Sequence, residues 1–237
     1  MAVNPSKKIL VVEDEQDIRQ LMCLHLSRKG HDIEEAVNGS KAYEILEQKS
    51  FDLIILDWML PGMNGLELLS WIRNKPRPLG ITPILFVTAK SEPENIVKAL
   101  QTGADDYLVK PFDLRVLMAR VSSLLRRREM RNLEKEGSQD KLTIGNLTLD
   151  REAHKVFIQN QEVILTLSEF LLLETLLKNQ GKVLSRQQLA SYILGEETNV
   201  TSRTIDTHTS ILRKKIGDYG KLIETVRGVG YRIGYLK

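Results

Sequence analysis

The chain has 237 residues, of which 42% are hydrophobic and 27% are charged, and its formal net charge is +3. This length predicts two domains of roughly 100–130 residues, and the composition excludes an intrinsically disordered chain. No segment approaches the roughly 18 apolar residues that cross a bilayer, and residues 1–8 lack the apolar core of a secretory signal. We therefore exclude a membrane partner and expect a cytoplasmic protein. The one cysteine, Cys23, excludes an intrachain disulfide framework and metal sites built from several cysteines.

Strand-like and helical patterns alternate over the predicted first domain, residues 1–125. The apolar runs of strand type cover residues 9–12, 32–37, 51–56, 84–87 and 107–109. Two helices have a readable buried face, which consists of Ile18, Leu21 and Leu24 or His25 in residues 17–29, and of Leu114, Leu117, Val121 and Leu124 in the last helix. Strands that alternate with helices predict βαβ crossovers, and therefore an α/β domain with five parallel strands covered on both faces.

A polar segment separates this domain from the rest of the chain. Residues 126–140 are nearly all charged or polar, and Gly137 and Ser138 interrupt any helix, so we predict a linker there. Short strand-like pieces follow at residues 142–144, 147–149, 155–158 and 163–165. They are followed by helical segments and a glycine-rich hairpin at residues 223–235. This order predicts an α+β winged helix-turn-helix domain over residues 141–237.

Two of the helix starts in the second domain are marked by capping boxes. Thr166 is followed three residues later by Glu169, and Ser185 by Gln188. The third helix, residues 201–216, has a predicted inner face of Ile205, Thr209, Leu212 and Ile216. Its predicted outer face contains Arg203, Thr207, Ser210 and Lys214.

Positive charge is concentrated at the end of the chain. Residues 200–237 contain eight Lys or Arg and three Asp or Glu, whereas the remainder of the chain has a net charge of −2. A basic segment on an otherwise nearly neutral chain favours a polyanionic partner over a merely solvated cationic face.

Reactive side chains follow four of the predicted strands in the first domain. Glu13 and Asp14 follow the first, Asp57 the third, Thr88 the fourth and Lys110 the fifth. Because the carboxyl ends of parallel strands line one crevice, these side chains are expected to meet. Three carboxylates repel one another unless a cation intervenes, and Mg²⁺ with oxygen ligands is the economical choice.

This combination suits phosphoryl transfer. Asp57 could attack phosphorus in line and become an acyl phosphate, with a metal ion and Lys110 neutralising charge. Thr88 could then donate a hydrogen bond to the new phosphoryl group. Each residue alone has a commoner structural role, as a turn former, a strand residue or a surface lysine. Their occurrence at four strand ends in this order favours one site.

The first domain closely resembles the receiver domain of two-component response regulators. The resemblance rests on VVEDE at 11–15, LIILDWMLPGMNG at 53–65, VTA at 87–89 and GADDYLVKPF at 103–112. It implies a doubly wound, flavodoxin/CheY-like fold with Asp57 as the phosphoacceptor. It further implies that Glu13, Asp14, Asp57 and the Met59 carbonyl hold Mg²⁺, that Thr88 and Tyr107 form a switch pair, and that Lys110 contacts the phosphoryl group.

The second domain resembles the winged-helix domain of the OmpR/PhoB type. The matching segments are LTLSEFLLLETLL at 165–177, GKVLSRQQL at 181–189, RTIDTHTSILRKKIG at 203–217 and IETVRGVGYRI at 223–233. The resemblance implies that the third helix enters the major groove of DNA. The implied phosphate contacts are Arg203, His208 and Arg213, the implied base contacts are Thr207, Ser210, Ile211 and Lys214, and Arg227 is implied in the minor groove.

Two details of the second domain leave alternatives open. His208 lies near the core edge of its helix, so a packed histidine remains an alternative to a phosphate contact. Ile211 replaces a residue that is often basic in relatives, and an isoleucine can contact a thymine methyl group but cannot hydrogen-bond guanine.

Relatives use a helix-strand-helix face of the receiver domain to dimerise, and here that face departs from their pattern. Ile96 and Val116 stand where relatives often have a basic residue and Glu. We predict that the contact is retained as an apolar one, with the remaining ionic pairs supplied by Asp105, Asp106, Arg120 and Arg127.

The leading functional hypothesis is a transcription regulator in a two-component phosphorelay. A sensor histidine kinase would phosphorylate Asp57, which would promote a homodimer that binds double-stranded promoter DNA, and the loop 195–199 is a candidate contact for RNA polymerase. A metal-dependent phosphohydrolase is the alternative from another class. It fits less well, because Met59 stands where such enzymes usually have a second Asp. A DNA-binding protein that ignores phosphorylation is disfavoured because every pocket residue is present.

Overall fold

The structure is a computed structural model that describes residues 6–133, 140–194 and 202–236, with side chains for residues 6–126, 140–193 and 204–236. The chain divides into two compact units, Met1–Leu125 and Arg126–Lys237, and each is described by itself. Among the described helices, none is both long enough and apolar enough to span a membrane.

The first unit is a parallel sheet with helices between its strands. The strands are β1 (Lys8–Val12), β2 (Asp32–Ala36), β3 (Leu53–Asp57), β4 (Ile84–Thr88) and β5 (Asp106–Val109), in the spatial order β2-β1-β3-β4-β5. The helices are α1 (Gln16–Arg28), α2 (Gly39–Gln48), α3 (Gly65–Arg73), α4 (Pro93–Thr102) and α5 (Leu114–Leu133), with a short 3-10 turn at Leu79–Ile81. This order confirms the predicted doubly wound fold, because the chain reverses direction across the sheet between β1 and β3.

The burial of each strand explains how strong its apolar pattern is in the sequence. Every residue of β3 and of β4 is buried, as expected for strands covered on both faces. The edge strand β2 has the sequence DIEEA and only its final Ala36 is fully buried. Its weak apolar signal therefore follows from its position at the edge.

The predicted buried face of α1 is wrong at Leu21 and Leu24, whereas Ile18 and His25 are half-buried. Met22, Cys23 and Leu26 are buried, whereas Leu21 is 42% and Leu24 is 48% exposed. The side chains that pack against the sheet are four residues apart, at Ile18, Met22 and Leu26. The prediction instead followed side chains three residues apart. Both rows are apolar, so the sequence pattern alone did not separate them.

Helix α5 also differs from its prediction at the end. Leu117, Val121 and Leu124 are buried as predicted, but the helix continues to Leu133. It therefore includes the first part of the predicted linker, residues 126–140. Arg, Glu, Met and Leu are good helix formers, so a polar composition alone does not end a helix. Residues 134–139 lie outside the described part.

The second unit begins with a four-stranded antiparallel sheet and ends with a three-stranded one. Its strands are β6 (Lys141–Ile144), β7 (Leu147–Asp150), β8 (Lys155–Ile158), β9 (Gln161–Val163), β10 (Leu184–Ser185), β11 (Ile223–Val226) and β12 (Gly230–Ile233). Its helices are α6 (Leu167–Lys178), α7 (Arg186–Leu194) and α8 (Ser202–Lys215), with a 3-10 segment at Gly217–Leu222. Strand β12 pairs with both β10 and β11, which confirms the predicted winged-helix architecture.

One strand of this unit starts earlier than predicted. Residues 163–165 were expected to form a strand, but β9 covers Gln161–Val163 and pairs Gln161 with Ile158. Gln159 and Asn160 between them have φ angles of 50° and 65°, the left-handed conformation of a two-residue hairpin turn. The strand therefore begins directly after this turn.

Both predicted capping boxes are present. In α6, the Thr166 backbone N–H donates to Glu169 at 2.8 Å, and the Glu169 backbone N–H donates to the Thr166 hydroxyl at 3.5 Å. Before α7, Ser185 and Gln188 make the same reciprocal pair at 2.9 and 3.1 Å. These bonds satisfy free backbone donors at the two helix starts.

Candidate functional site

The carboxyl edge of the parallel sheet brings the predicted pocket residues together. Glu13 follows β1, Asp57 ends β3, Thr88 ends β4 and Lys110 follows β5. One carboxylate oxygen from each of Glu13, Asp14 and Asp57 lies within 4.8 Å of the others. Three acidic groups that are distant in sequence therefore form one cluster.

Lys110 neutralises part of this cluster directly. Its ammonium donates hydrogen bonds to Asp57 Oδ2 at 2.7 Å, to Glu13 Oε1 at 2.7 Å and to Glu15 Oε1 at 3.1 Å. Burial lowers the pKa of Lys110, but the hydrogen bonds and charges of Asp57 and Glu13 outweigh it and raise the pKa overall. Lys110 therefore remains charged at neutral pH. Sequence reasoning missed Glu15, whose only signal was its place in the acidic run after β1.

Glu13 is the most buried acid of the cluster. Its side chain is 0% exposed, and burial raises its pKa to about 7, helped by the charge of Asp57 and opposed by the hydrogen bond from Lys110. Its Oε2 atom is buried and has no hydrogen-bond partner among the described residues. A buried, unpaired carboxylate oxygen beside two further carboxylates fits a hard divalent cation such as Mg²⁺.

The loop after β3 holds the Asp57 carboxylate from the other side. The Met59 backbone N–H donates to Asp57 Oδ1 at 3.1 Å, and the loop closes through a bond from Gly65 N to Trp58 O at 2.9 Å. A Cβ at Gly65 would lie 1.9 Å from the Asp57 carbonyl oxygen. Only glycine therefore allows the chain to return so close to the end of β3 before α3 begins.

Arg19 supports the acidic loop from α1 and was not found from the sequence. Its Nη1 group donates to the carbonyl oxygens of Glu13 at 2.8 Å and Asp14 at 3.1 Å, and its Nε group donates to Glu35 at 3.1 Å. These bonds fix the backbone from which two of the clustered acids project. Nothing in the local pattern distinguished Arg19 from an ordinary surface arginine.

Thr88 and Tyr107, the expected switch pair, lie on neighbouring strands. Thr88 is 2% exposed, and its hydroxyl accepts a hydrogen bond from the Lys90 backbone N–H at 3.0 Å. Tyr107 is partly buried and packs against the core cluster of the first unit that includes Leu56 and Phe86, as does Ile96. The Lys90 ammonium lies 4.9 Å from the centre of the Trp58 ring, at the rim of the pocket.

Three charged residues of the predicted dimer face have partners within the first unit. Asp105 is 0% exposed and binds the Arg73 guanidinium at 2.8 Å. Asp106 is 1% exposed and pairs with Arg120 at 2.5 Å. These three predicted residues, Asp105, Asp106 and Arg120, are therefore satisfied inside one domain, because burial demands a local partner for each charge. The side chain of Arg127 lies outside the described part, and Val116 is half-buried.

Helix α8 buries the predicted inner face and part of the predicted outer face. Ile205, Thr209, Leu212 and Ile216 are each at most 1% exposed, as predicted. Thr207 is 9% and His208 is 1% exposed, so neither is placed for the predicted contact with DNA. His208 lies three residues after Ile205 and four before Leu212, and it therefore belongs to the buried stripe.

The remaining predicted DNA contacts include four accessible side chains. Ser210 and Lys214 are exposed on α8, Ile211 is half-buried beside them, and Arg227 is exposed at the turn between β11 and β12. Arg213 instead donates from Nε to the Ile223 carbonyl at 3.0 Å and from Nη2 to the Thr225 hydroxyl at 2.9 Å. The Arg203 side chain and the loop 195–199 lie outside the described part.

Each half of the chain matches a known protein family. Residues 9–122 match the family described as response regulator receiver domain, and residues 160–233 match the family described as transcriptional regulatory protein, C terminal. The transcriptional regulatory protein SrrA of Staphylococcus aureus (strain NCTC 8325 / PS 47) is 40% identical over 233 residues, which cover 96% of this chain and 95% of SrrA.

Solved structures give the same result. A mutant of RitR in which aspartate replaces a cysteine has a TM-score of 0.74 at 28% identity and covers 98% of this chain and 100% of its own. The response regulator DrrB of Thermotoga maritima, an OmpR/PhoB homologue, has a TM-score of 0.51 at 30% identity over 97% of this chain and 100% of its own. A receiver domain implies a histidine kinase partner, and the C-terminal domain implies DNA. The chain therefore belongs to the two-component response regulators of the OmpR/PhoB type, in which a receiver domain precedes a DNA-binding transcriptional regulatory domain.

Proposed function

We propose that Asp57 accepts a phosphoryl group from a sensor histidine kinase, and that this modification promotes dimerisation and binding to promoter DNA. One observation carries most of the argument, namely the Lys110 ammonium shared by Asp57 and Glu13, each at 2.7 Å. Lys110 and Glu13 would then lie beside a phosphoryl group attached to Asp57. We place this activity in the cytoplasm.

The transfer needs little from the protein beyond position and charge. An Asp57 carboxylate oxygen attacks the phosphorus atom of the donor phosphohistidine, and the new O–P bond replaces the P–N bond, whose electron pair leaves with the imidazole. Once Asp57 is phosphorylated, its negative charge is replaced by that of the phosphoryl oxygens, and Lys110 pairs with these oxygens. The Thr88 hydroxyl, which accepts a hydrogen bond from the Lys90 backbone N–H, donates a hydrogen bond to one of these oxygens.

Glu13, Asp14, Asp57 and the Met59 carbonyl are the residues that would hold Mg²⁺. The unpaired Oε2 of Glu13 and the close carboxylates support this set. When bound, the ion supplies positive charge that neutralises the phosphoryl oxygens during transfer.

The switch is a shift between two conformations that the free protein already samples. Movement of the Thr88 hydroxyl toward the phosphoryl group leaves space on the next strand for the Tyr107 ring. Tyr107 and Ile96 pack against the same core cluster, so a change of Tyr107 reaches the face formed by α4, β5 and α5. Two dimerised chains then place two DNA-binding domains on tandem half-sites, where the second contact is effectively intramolecular.

On DNA, α8 would lie in the major groove and the β11–β12 turn in the minor groove. The proposed contacts are Arg203, Ser210, Ile211, Lys214 and Arg227. Arg213 would contact a phosphate in addition to its bonds with β11. Thr207 and His208 are buried, so we do not propose that they contact DNA. The loop 195–199 is the proposed contact for RNA polymerase.

A phosphorylation assay with the full chain tests the proposal. With Mg²⁺ and acetyl phosphate as the small phosphodonor, we expect a stable adduct of one phosphoryl group per chain, measured by intact-protein mass spectrometry. Chelation of the metal should reduce the labelling rate at least roughly tenfold. Continuous release of phosphate without an adduct would instead indicate a phosphohydrolase, and no adduct at all would indicate a DNA-binding protein that ignores phosphorylation.

The dimer face gives a second prediction. Ile96→Glu should abolish dimerisation induced by acetyl phosphate, because each new carboxylate would be buried against the partner's Val116 without a cation to pair with it. Sedimentation velocity with and without the phosphodonor measures this change. Leu21→Glu is the matched control, since Leu21 is an exposed leucine on α1, away from this face. An Ile96→Glu chain that is phosphorylated and still dimerises would contradict an apolar dimer contact at Ile96.

A further inference from the structure

Arg186, which was not among the expected DNA contacts, joins three elements of the second unit. It is the first residue of α7, and its backbone N–H donates to the Val229 carbonyl in the β11–β12 turn at 3.3 Å. Its side-chain Nε donates to Asp206 Oδ1 of α8 at 2.7 Å. The guanidinium therefore lies between the proposed major-groove helix and the proposed minor-groove turn.

Asp206 is the centre of the polar contacts around this arginine. The same Oδ1 atom that accepts from Arg186 also accepts from the Tyr231 hydroxyl at 2.6 Å. The Arg186 guanidinium lies 5.1 Å and the Arg213 guanidinium 5.5 Å from the centre of the Tyr231 ring. Burial and the bond to Asp206 raise the pKa of Tyr231, so its hydroxyl keeps the proton that it donates. One carboxylate thus orients an arginine and a tyrosine together.

The position of Arg186 suits a contact with the DNA backbone. The sugar-phosphate strand separates the major groove from the minor groove, so a cation between the two groove-binding elements faces phosphates. The bond to Asp206 uses Nε, and the planar guanidinium has further N–H donors at Nη1 and Nη2. The Arg186 side chain is 23% exposed, which leaves part of it accessible to a phosphate.

We propose that Asp206 is a positioning residue, which holds Arg186 in the orientation that contacts a DNA phosphate between α8 and the β11–β12 turn. The inference rests on the proposed placement of these two elements in the grooves. A carboxylate near DNA normally weakens binding, because it repels the phosphates. Here the preorganised arginine outweighs this repulsion, since an ordered side chain loses less freedom on binding.

Fluorescence anisotropy of the full chain with a short, labelled duplex of random sequence tests the inference. Phosphate contacts do not depend on sequence, so the promoter need not be known. Arg186→Ala should weaken binding roughly tenfold and reduce the slope of log affinity against log salt by about 0.9, the value for one phosphate contact. Asp206→Asn should weaken binding about 3- to 10-fold with the same change in slope, although it removes a negative charge.

A double variant separates positioning from general damage. If Asp206 acts through Arg186, the Asp206→Asn/Arg186→Ala chain should bind no more weakly than Arg186→Ala alone. Asp218→Asn is the matched control, because Asp218 is an exposed aspartate of the same unit whose partner is Lys221. Its loss should leave binding unchanged or slightly tighter.

Several results would overturn the proposal. One is Asp206→Asn binding that equals or exceeds the original affinity, and another is weaker binding with an unchanged salt slope. Should Asp206→Asn fail to fold, Tyr231→Phe removes only one bond to Asp206 and should weaken binding about 2- to 3-fold, with a lower slope; an unchanged affinity and slope would overturn the role. An unmodified chain that binds no duplex at low salt would instead contradict the placement of α8 and the turn in DNA.

Discussion

Asp57→Asn is expected to reduce labelling by acetyl phosphate at least about 100-fold, because an amide cannot act as the carboxylate nucleophile. Asn has nearly the same shape as Asp, so Met59 N can still donate to its side-chain oxygen. The phosphodonor should then no longer increase affinity for promoter DNA. Intact-protein mass spectrometry measures the adduct, and anisotropy with promoter fragments recovered by genome-wide mapping of bound DNA measures the affinity.

Glu15→Gln is the matched control for this experiment. Glu15 also accepts a hydrogen bond from Lys110, at 3.1 Å, but its side chain is 60% exposed. Its removal should change the labelling rate less than about threefold, since exposed ion pairs contribute little. Full labelling of Asp57→Asn, or regulated gene expression that survives it, would contradict the assignment of Asp57 as the phosphoacceptor.

Arg73→Met is expected to destabilise the first unit by about 3–5 kcal/mol, the usual cost of leaving a buried charge without its partner. Arg73 binds Asp105, whose side chain is 0% exposed, at 2.8 Å. It also donates to the carbonyl oxygens of Gly103, Gly80 and Thr82 at 2.8, 3.2 and 2.8 Å. Met covers similar apolar surface but cannot donate to any of these groups.

Urea denaturation followed by tryptophan fluorescence measures this loss in the full chain. The chain has two tryptophans, Trp58 and Trp71, and both belong to the first unit, so the signal reports that unit alone. Arg115→Met is the control, because the Arg115 side chain is 91% exposed in its pair with Asp113. It should leave the stability nearly unchanged, because a fully exposed ion pair contributes little. Equal stabilities of the two variants would contradict the structural role of Arg73.

The local sequence was sufficient to predict the fold of each half and the acidic cluster at the carboxyl edge of the parallel sheet. An apolar run defines a buried strand, and in a parallel sheet the residue after each run lies at a common edge. Glu13, Asp57 and Lys110 could therefore be predicted to meet without any knowledge of their contacts. The same holds for the caps at Thr166 and Ser185, because a capping box involves residues only three positions apart.

The partners of buried side chains were decided by the tertiary structure. Asp105 was predicted to join the ionic pairs of the dimer face, but it is buried and its partner Arg73 is 32 residues away. For His208 the sequence left a phosphate contact and a packed histidine as alternatives, and the packing of α8 buries it in the core stripe. Helix α1 has two apolar rows, and only the sheet beneath it selects Met22 and Leu26 over Leu21 and Leu24. In each case the deciding contact comes from a distant segment, and periodicity within one element cannot report it.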